Sequence, residues 1–178
     1  MTVTNARNFD ALVLPHLNAA SNLARWLVRD EHVAEDIVQE SCLRAYRYFG
    51  SLRGDDARPW LLGIVRNNCF TWLDRKRMTP EHVELDDELA HSLPELADAE
   101  GATPEAMLER ERTRKRVDAA IMALAAPFRE VVVLRELEGL SYAEIAQIAA
   151  VPIGTVMSRL ARARAELKSL LAEFWRAD

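Results

Sequence analysis

Apolar residues recur at helical spacing through most of the N-terminal half of the chain, separated by short polar breaks. The pattern predicts a first helix from Asn8 to about Arg29, with Pro15 marking a kink or a restart. A second helix follows from His32 to Phe49, and a polar loop then leads to a third helix that opens at Pro59. Proline suits this position because its fixed φ matches the first helical turn. These segments predict a small helical unit.

The C-terminal half follows the same period. Thr103 is a good N-cap and Pro104 a good first residue for one helix, and Pro127 starts another. The run Val131–Leu134 has high strand propensity. The apolar residues between positions 128 and 137 are nevertheless spaced for a helix, and no partner strand is close along the chain. We therefore predict an all-α fold with two small helical domains.

The stretch from Gly139 to Leu167 predicts two helices separated by a tight turn. Ser141 and Glu144 have the spacing of a capping box at the start of the first helix, and Pro152 lies in the turn. The polar face of the second helix carries Thr155, Ser158, Arg159 and Arg162. This arrangement is typical of a helix-turn-helix, whose second helix reads base edges and phosphates in the major groove of DNA. An ordinary helical hairpin with a solvated charged face is the alternative.

The third helix of the N-terminal unit combines aromatic, amide and cationic side chains. They are Trp60, Arg66, Asn67, Asn68, Trp72, Arg75, Lys76 and Arg77. Aromatic rings stack on unpaired bases, amides read base edges and cations follow phosphates, so this face suits single-stranded nucleic acid. In the alternative interpretation both tryptophans belong to the core, and the cations only end a helix whose dipole favours them.

The second helix has an acidic polar patch, formed by Glu35, Asp36, Gln39 and Glu40. By itself this patch is interpreted most simply as a solvated face near the positive end of the helix dipole.

The composition is that of folded helical domains and gives no sign of metal or cofactor chemistry. Hydrophobic residues make up 49% of the 178 positions. Cys42 and Cys69 have no CxxC partner and the histidines are scattered, so we predict core thiols in a reducing cytoplasm and no metal site. No segment is apolar enough to span a bilayer, and no signal peptide opens the chain. We find no nucleophile–base pairing or phosphate-binding glycine loop, and therefore predict neither an enzyme nor a cofactor.

The formal net charge of −5 is unusual for a DNA-binding protein, but the charge is unevenly distributed. Residues 79–106 contain nine acidic side chains and no lysine or arginine, which leaves 19 acidic against 23 basic residues elsewhere. We therefore predict a flexible acidic linker over residues 79–103, between domains at 1–78 and 104–178. The linker could mimic or avoid nucleic acid, or it could be a solvating tether.

Taken together, the two units resemble the bacterial extracytoplasmic-function (ECF) sigma factors. The segments AEDIVQESCLRAYR and RPWLLGIVRNN resemble sigma region 2, which docks on RNA polymerase and melts the promoter. The segment PFREVVVLRELEGLSYAEIAQIAAVPIGTVMSRLARAR resembles sigma region 4, which reads the −35 element. The resemblance implies a factor that binds core RNA polymerase at the β′ clamp and β flap and directs promoter-specific initiation. It also implies control by an anti-sigma factor.

The resemblance assigns expected roles to individual residues. Polymerase contact is expected of Asp36, Gln39 and Glu40. Capture of the −10 strand is expected of the loop from Ser51 to Arg58 and of Asn67, with Trp60, Arg66 and Asn68 as neighbours. Contact with the −35 duplex is expected of Thr155, Ser158, Arg159 and Arg162. Met157 departs from the family, because many relatives have a basic residue there.

Two other classes of protein fit parts of the pattern. A helix-turn-helix repressor or activator would bind DNA without polymerase and would be expected to dimerise on a two-fold site. A protein-interaction module would use the acidic patch and the linker, without functional DNA contact.

Overall fold

The computed structural model describes residues 9–78 and 103–176, and all regular elements within these ranges are helices. This confirms the prediction of an all-α fold. The predicted acidic linker lies outside the described residues, except for its last position, Thr103. No helix in the described parts of the chain is long and apolar enough to cross a membrane.

In the described part of the N-terminal domain, three long α-helices pack on one another. A 3₁₀ turn at Leu14–His16, which contains Pro15, separates the helical residues 9–13 from helix α1 (Leu17–Val28), so the first predicted helix restarts after Pro15. Helix α2 covers Glu31–Arg47, helix α3 covers Arg58–Met78, and a 3₁₀ turn at Phe49–Ser51 lies between them.

Helix α2 begins where it does because of Asp30. The Asp30 carboxylate accepts a hydrogen bond of 2.9 Å from the Val33 amide, which satisfies one free donor of the first turn. The buried side chains of the bundle include Trp26, Leu61 and Val65, each at most 1% exposed.

The C-terminal domain contains four helices in the described residues. Helix α4 covers Pro104–Ala123, α5 covers Ala126–Val132, α6 covers Tyr142–Ala149 and α7 covers Ile153–Arg176. The run of valines is helical, as predicted, but α5 continues into a π-helical segment at Val133–Leu137. The sequence did not predict this wider turn.

The two domains pack against each other. Helix α1 contacts α5, and α3 contacts α6. The buried apolar residues of both domains form a continuous cluster from Phe9 to Ala163. The helix that is expected to melt the promoter therefore lies against the first helix of the predicted helix-turn-helix.

Candidate nucleic-acid interface

The capping box and a left-handed residue define the helix-turn-helix geometry. The Ser141 hydroxyl accepts from the Glu144 amide at 3.2 Å, and the Glu144 carboxylate accepts from the Ser141 amide at 2.7 Å. Helix α6 ends at Ala149 and is followed by the C-cap Ala150, whose φ of 52° is left-handed. The Pro152 carbonyl then accepts from the amides of the first turn of α7. The chain thus reverses within a few residues, as the Pro152 signal predicted.

Helix α7 is anchored by an apolar face and presents a polar one. Val156, Leu160 and Ala163 are at most 1% exposed, so the orientation of the helix is set by packing. Ser158 and Arg162 are exposed, whereas Thr155 and Arg159 are half-buried. The Ser158 hydroxyl donates to the Thr155 carbonyl at 3.0 Å. Met157 is 54% exposed, which places an apolar side chain on the otherwise polar face.

The predicted base-binding face of α3 mixes exposed and half-buried groups. Asn67 is exposed, and Trp60 is half-buried with its ring edge toward Phe49, at a centroid distance of 6.5 Å. The Arg66 guanidinium lies 4.2 Å from the centre of the Phe70 ring. Farther along, the Lys76 ammonium lies 4.9 Å from the Trp72 ring centre. Cations and rings are therefore stacked on one another along this helix.

The side chain of Asn68, a predicted site residue, is hydrogen-bonded to the neighbouring helix. Its Oδ1 accepts from Arg44 at 2.9 Å, and its Nδ2 donates to the Ser41 hydroxyl at 2.8 Å. The Ser41 hydroxyl is fully buried and donates in turn to the Ile37 carbonyl. This chain of hydrogen bonds ties α2 to α3, so both ends of the Asn68 amide are engaged within the domain.

Three of the predicted DNA-binding arginines meet carboxylates of the C-terminal domain. Arg58 Nη2 lies 2.9 Å from Glu138 Oε2, and Arg66 Nε lies 2.6 Å from Glu130 Oε1. Arg159 Nη1 lies 3.8 Å from Glu130 Oε2, an ion-pair distance without a hydrogen bond. Arg58, Arg66 and Arg159 are thus brought to the same boundary between the domains.

Sequence reasoning missed both carboxylates. Glu130 is completely buried, and this burial raises the pKa of its carboxyl, although the hydrogen bond and charge of Arg66 and the charge of Arg159 oppose the shift. Glu138 is only 10% exposed at its side chain. Glu130 could have been noticed because it directly precedes the apolar run Val131–Leu134 and so was a candidate for burial. A buried carboxylate needs a cationic partner, which would have indicated an ion pair.

The predicted polymerase-binding residues lie on α2, apart from these arginines. Asp36, Gln39 and Glu40 are exposed, and Leu43, one turn farther along, is 62% exposed. These side chains form a free acidic face that ends in an apolar residue. Within the described residues, no three His, Cys, Asp or Glu side chains are grouped closely enough to hold a metal ion.

Comparison with known proteins finds the same two units. Residues 12–79 match the model of sigma-70 region 2, and residues 114–167 match the model of sigma-70 region 4. The RNA polymerase sigma-H factor of Pseudomonas aeruginosa is 35% identical over 169 residues, covering 93% of this chain and 86% of the relative. The ECF RNA polymerase sigma-E factor of Escherichia coli K12 is 36% identical over 158 residues, covering 88% and 82%.

Two solved structures are similar over nearly the whole chain. The sigma factor RpoE of Bartonella quintana, crystallised with the anti-sigma factor NepR, has a TM-score of 0.69 at 27% identity and covers 93% of this chain and 98% of its own. CnrH, solved in complex with the cytosolic domain of CnrY, has a TM-score of 0.62 at 26% identity and covers 94% and 90%.

Proposed function

This chain belongs to the sigma-70 family, among the ECF sigma factors, and on that premise we propose that it directs promoter-specific transcription initiation by core RNA polymerase. The observation that carries the proposal is the anchored helix α7, with Ser158 and Arg162 exposed at the end that follows the turn. Such a helix fits the major groove, where arginine donates to guanine and serine to phosphate or base. We assign this surface to the −35 element.

The N-terminal domain would act on the −10 element. Asn67 is exposed in mid-helix, where asparagine has poor helix propensity, which is consistent with a position kept for what it touches. Trp60, Arg58 and Arg66 lie on the same helix and could hold unstacked bases and phosphates, which would offset an unpairing cost of a few kcal/mol. The mechanism is non-covalent: bases are trapped after they leave the duplex.

The acidic face of α2 would bind core polymerase. Asp36, Gln39 and Glu40 are exposed together, and Leu43 adds an apolar contact. We assign this face to the β′ clamp and the C-terminal domain to the β flap. With these proposed partners, the protein would act in the cytoplasm.

Transcription in vitro tests the proposal. Core polymerase would be supplied with the protein and a pooled genomic promoter library, and transcript starts would be mapped. We expect protein-dependent transcripts downstream of a shared two-part motif. Arg162→Ala should weaken selection for the −35 half, by about 1–3 kcal/mol at one base pair, and Asn67→Ala should weaken selection for the −10 half. Arg110→Ala, which removes an exposed arginine from α4, is the charge-matched control for Arg162→Ala.

The same experiment separates the second candidate. Duplex binding by the protein alone, without any transcript when core polymerase is present, would contradict the sigma assignment. That result would favour a repressor or activator that acts without polymerase.

We further propose that an anti-sigma factor controls the protein. The support is the similarity to RpoE of Bartonella quintana, which was crystallised with one. Affinity purification of the tagged chain from its native cells should recover a small protein that competes with core polymerase. Recovery of polymerase subunits alone, under all growth conditions tried, would contradict this proposal.

A further inference from the structure

We propose that the two domains form a self-masking closed state, in which Glu130 and Glu138 of the C-terminal domain hold arginines that would otherwise face DNA. The closed state itself follows from the contacts between the domains. Its consequence for DNA binding rests on the function proposed above for Arg58 and Arg66.

We call the contacts that hold the closed state the latch. The first of them joins Glu138 to two groups of the N-terminal domain. Arg58 Nη2 donates to the Glu138 carboxylate and to the Glu138 backbone carbonyl, both at 2.9 Å. Asn22 Nδ2 donates to the other carboxylate oxygen at 2.6 Å. Both oxygens of this nearly buried side chain are therefore satisfied from across the domain boundary, by α1 and by the start of α3.

The second contact is centred on Glu130. Its carboxylate receives Arg66 from the N-terminal domain and faces Arg159 of the recognition helix α7. Because a buried carboxylate is costly when it is unpaired, its pairing with Arg66 favours the closed arrangement. When the domains separate, Arg159 and water remain to pair with Glu130, so opening does not leave the charge without a partner.

The third contact is made by two arginines that donate to backbone carbonyls. Arg129 donates to the Leu27 carbonyl at the end of α1, at 3.2 Å, and to the carbonyls of Met122 and Leu124 at the end of α4. Arg29, just after α1, donates to the Met122 carbonyl as well. Each arginine thus bridges the two domains at helix C-termini, where the dipole favours a cation.

A carboxylate and a phosphate bind an arginine through the same N–H groups. Both accept parallel N–H donors from the guanidinium, so Arg58 or Arg66 cannot serve Glu138 or Glu130 and a DNA phosphate with the same donors. The packing of α3 against α6 also places the −10 face beside the helix-turn-helix. DNA therefore binds the open fraction of molecules, and the apparent affinity falls in proportion to that fraction.

Distance measurement between spin labels tests the latch in the full chain. Labels would be attached to cysteines introduced at the exposed positions Ala11 and Ser169, one in each domain. Cys42 would be replaced by serine. Cys69, which is fully buried, would be replaced by alanine, so that it cannot be labelled when the domains separate. We expect a narrow distance distribution in the otherwise unaltered chain.

Three variants decide the outcome. Glu138→Arg places a positive charge against Arg58, and Asn22→Ala removes a contact from the opposite domain; both should shift the distribution to longer, broader distances. Glu136→Gln is the matched control, because its partner Arg164 lies in the same domain, at 2.7 Å. It should retain the narrow distribution. Unchanged distributions in Glu138→Arg and in Asn22→Ala, with helicity intact, would overturn the latch.

DNA affinity is measured separately, on a 30-base-pair duplex of random sequence at low salt. Glu138→Gln and Glu136→Gln change the net charge equally. If electrostatic attraction alone mattered, the two variants should therefore bind the duplex with the same affinity. We expect Glu138→Gln to bind at least about fivefold more tightly than Glu136→Gln, because it raises the open fraction. A chain that opens but binds no duplex would contradict the proposed DNA-binding function and leave the latch intact.

Discussion

At Ala150 the methyl side chain disfavours the backbone conformation that the structure requires. Its φ of 52° lies in the left-handed region, which costs a residue with a Cβ about 1–2 kcal/mol. We expect Ala150→Gly to stabilise the protein by up to about 1 kcal/mol, since part of the relief is offset by the greater freedom of glycine in the unfolded chain. Urea unfolding measures the difference.

Ala146 provides the opposite control for this experiment. It lies in mid-helix in α6, where glycine has no conformational advantage. Ala146→Gly should therefore destabilise by about 0.5–1 kcal/mol. Equal destabilisation by both substitutions would show that the left-handed position carries no strain.

Asn67 and Asn68 are neighbours for which the structure predicts different behaviour. Asn68→Ala removes the hydrogen bonds of this side chain to Arg44 and to the buried Ser41 hydroxyl, and should cost about 1–3 kcal/mol in the free energy of unfolding. Asn67→Ala, at an exposed position, should change stability by less than about 0.5 kcal/mol. Denaturant titration of the two variants separates a packing role from a surface role, and similar losses would contradict the assignment.

At the scale of the element, the capping box of α6 predicts that acid lowers the stability of the helix-turn-helix. Hydrogen bonds from the Ser141 side chain and backbone lower the pKa of Glu144 below its ordinary value of 4.5. Its contribution is therefore complete above pH 4.5 and is lost as the pH falls through the lowered pKa of the folded state. We expect Glu144→Gln to reduce the acid-induced loss of stability, as measured by urea unfolding between pH 3 and pH 7.

Ser141→Ala tests the other half of the same box. It removes the hydroxyl that caps the Glu144 amide and should cost about 1 kcal/mol at neutral pH. An unchanged unfolding midpoint in this variant would mean that the box adds nothing to the stability of α6.

The limits of these helices could be predicted from the sequence because their signals are local. Pro104, Pro152 and the box of Ser141 and Glu144 act within one helical turn, and the structure places helix ends at each of them. The π-helical segment at Val133–Leu137 could not be predicted. A π-helical turn shifts the backbone hydrogen bonds by one residue. Because the valines that lead into this segment are consecutive and apolar, their spacing does not distinguish a π-helical turn from an α-helical one.

At the scale of the whole molecule, the domain boundary could not be predicted. Arg58 and Glu138 are 80 positions apart, and Arg66 and Glu130 are 64 apart, whereas helical periodicity reports only on neighbours within a few turns. Charge alone did not identify the pairs either, because Glu130 and Glu138 occur among many other acidic residues. The contacts of three predicted DNA-binding arginines with these carboxylates were therefore not predicted.

The continuous apolar cluster predicts how the molecule unfolds. Because buried residues of both domains are in contact, the chain should unfold in urea as one cooperative unit. Tryptophan fluorescence follows mainly the N-terminal domain, which contains Trp26, Trp60 and Trp72, while far-UV circular dichroism follows all the helices. The two signals should give the same midpoint in the unaltered chain and different midpoints in Glu138→Arg. Separate midpoints in the unaltered chain would contradict this prediction.

The pairing of Arg58 with Glu138 also limits how the sequence can drift. Under the two proposals made above, Arg58 must fit the Glu138 carboxylate in the closed arrangement and DNA in the open one, so it is under two selective constraints, while Glu138 is under only the first. Lineages that abandon the closed arrangement should therefore lose Glu138 first and keep Arg58. Lineages that retain the closed arrangement should keep both Arg58 and Glu138. The joint presence or loss of the two residues among descendants would therefore show whether selection has maintained the closed state.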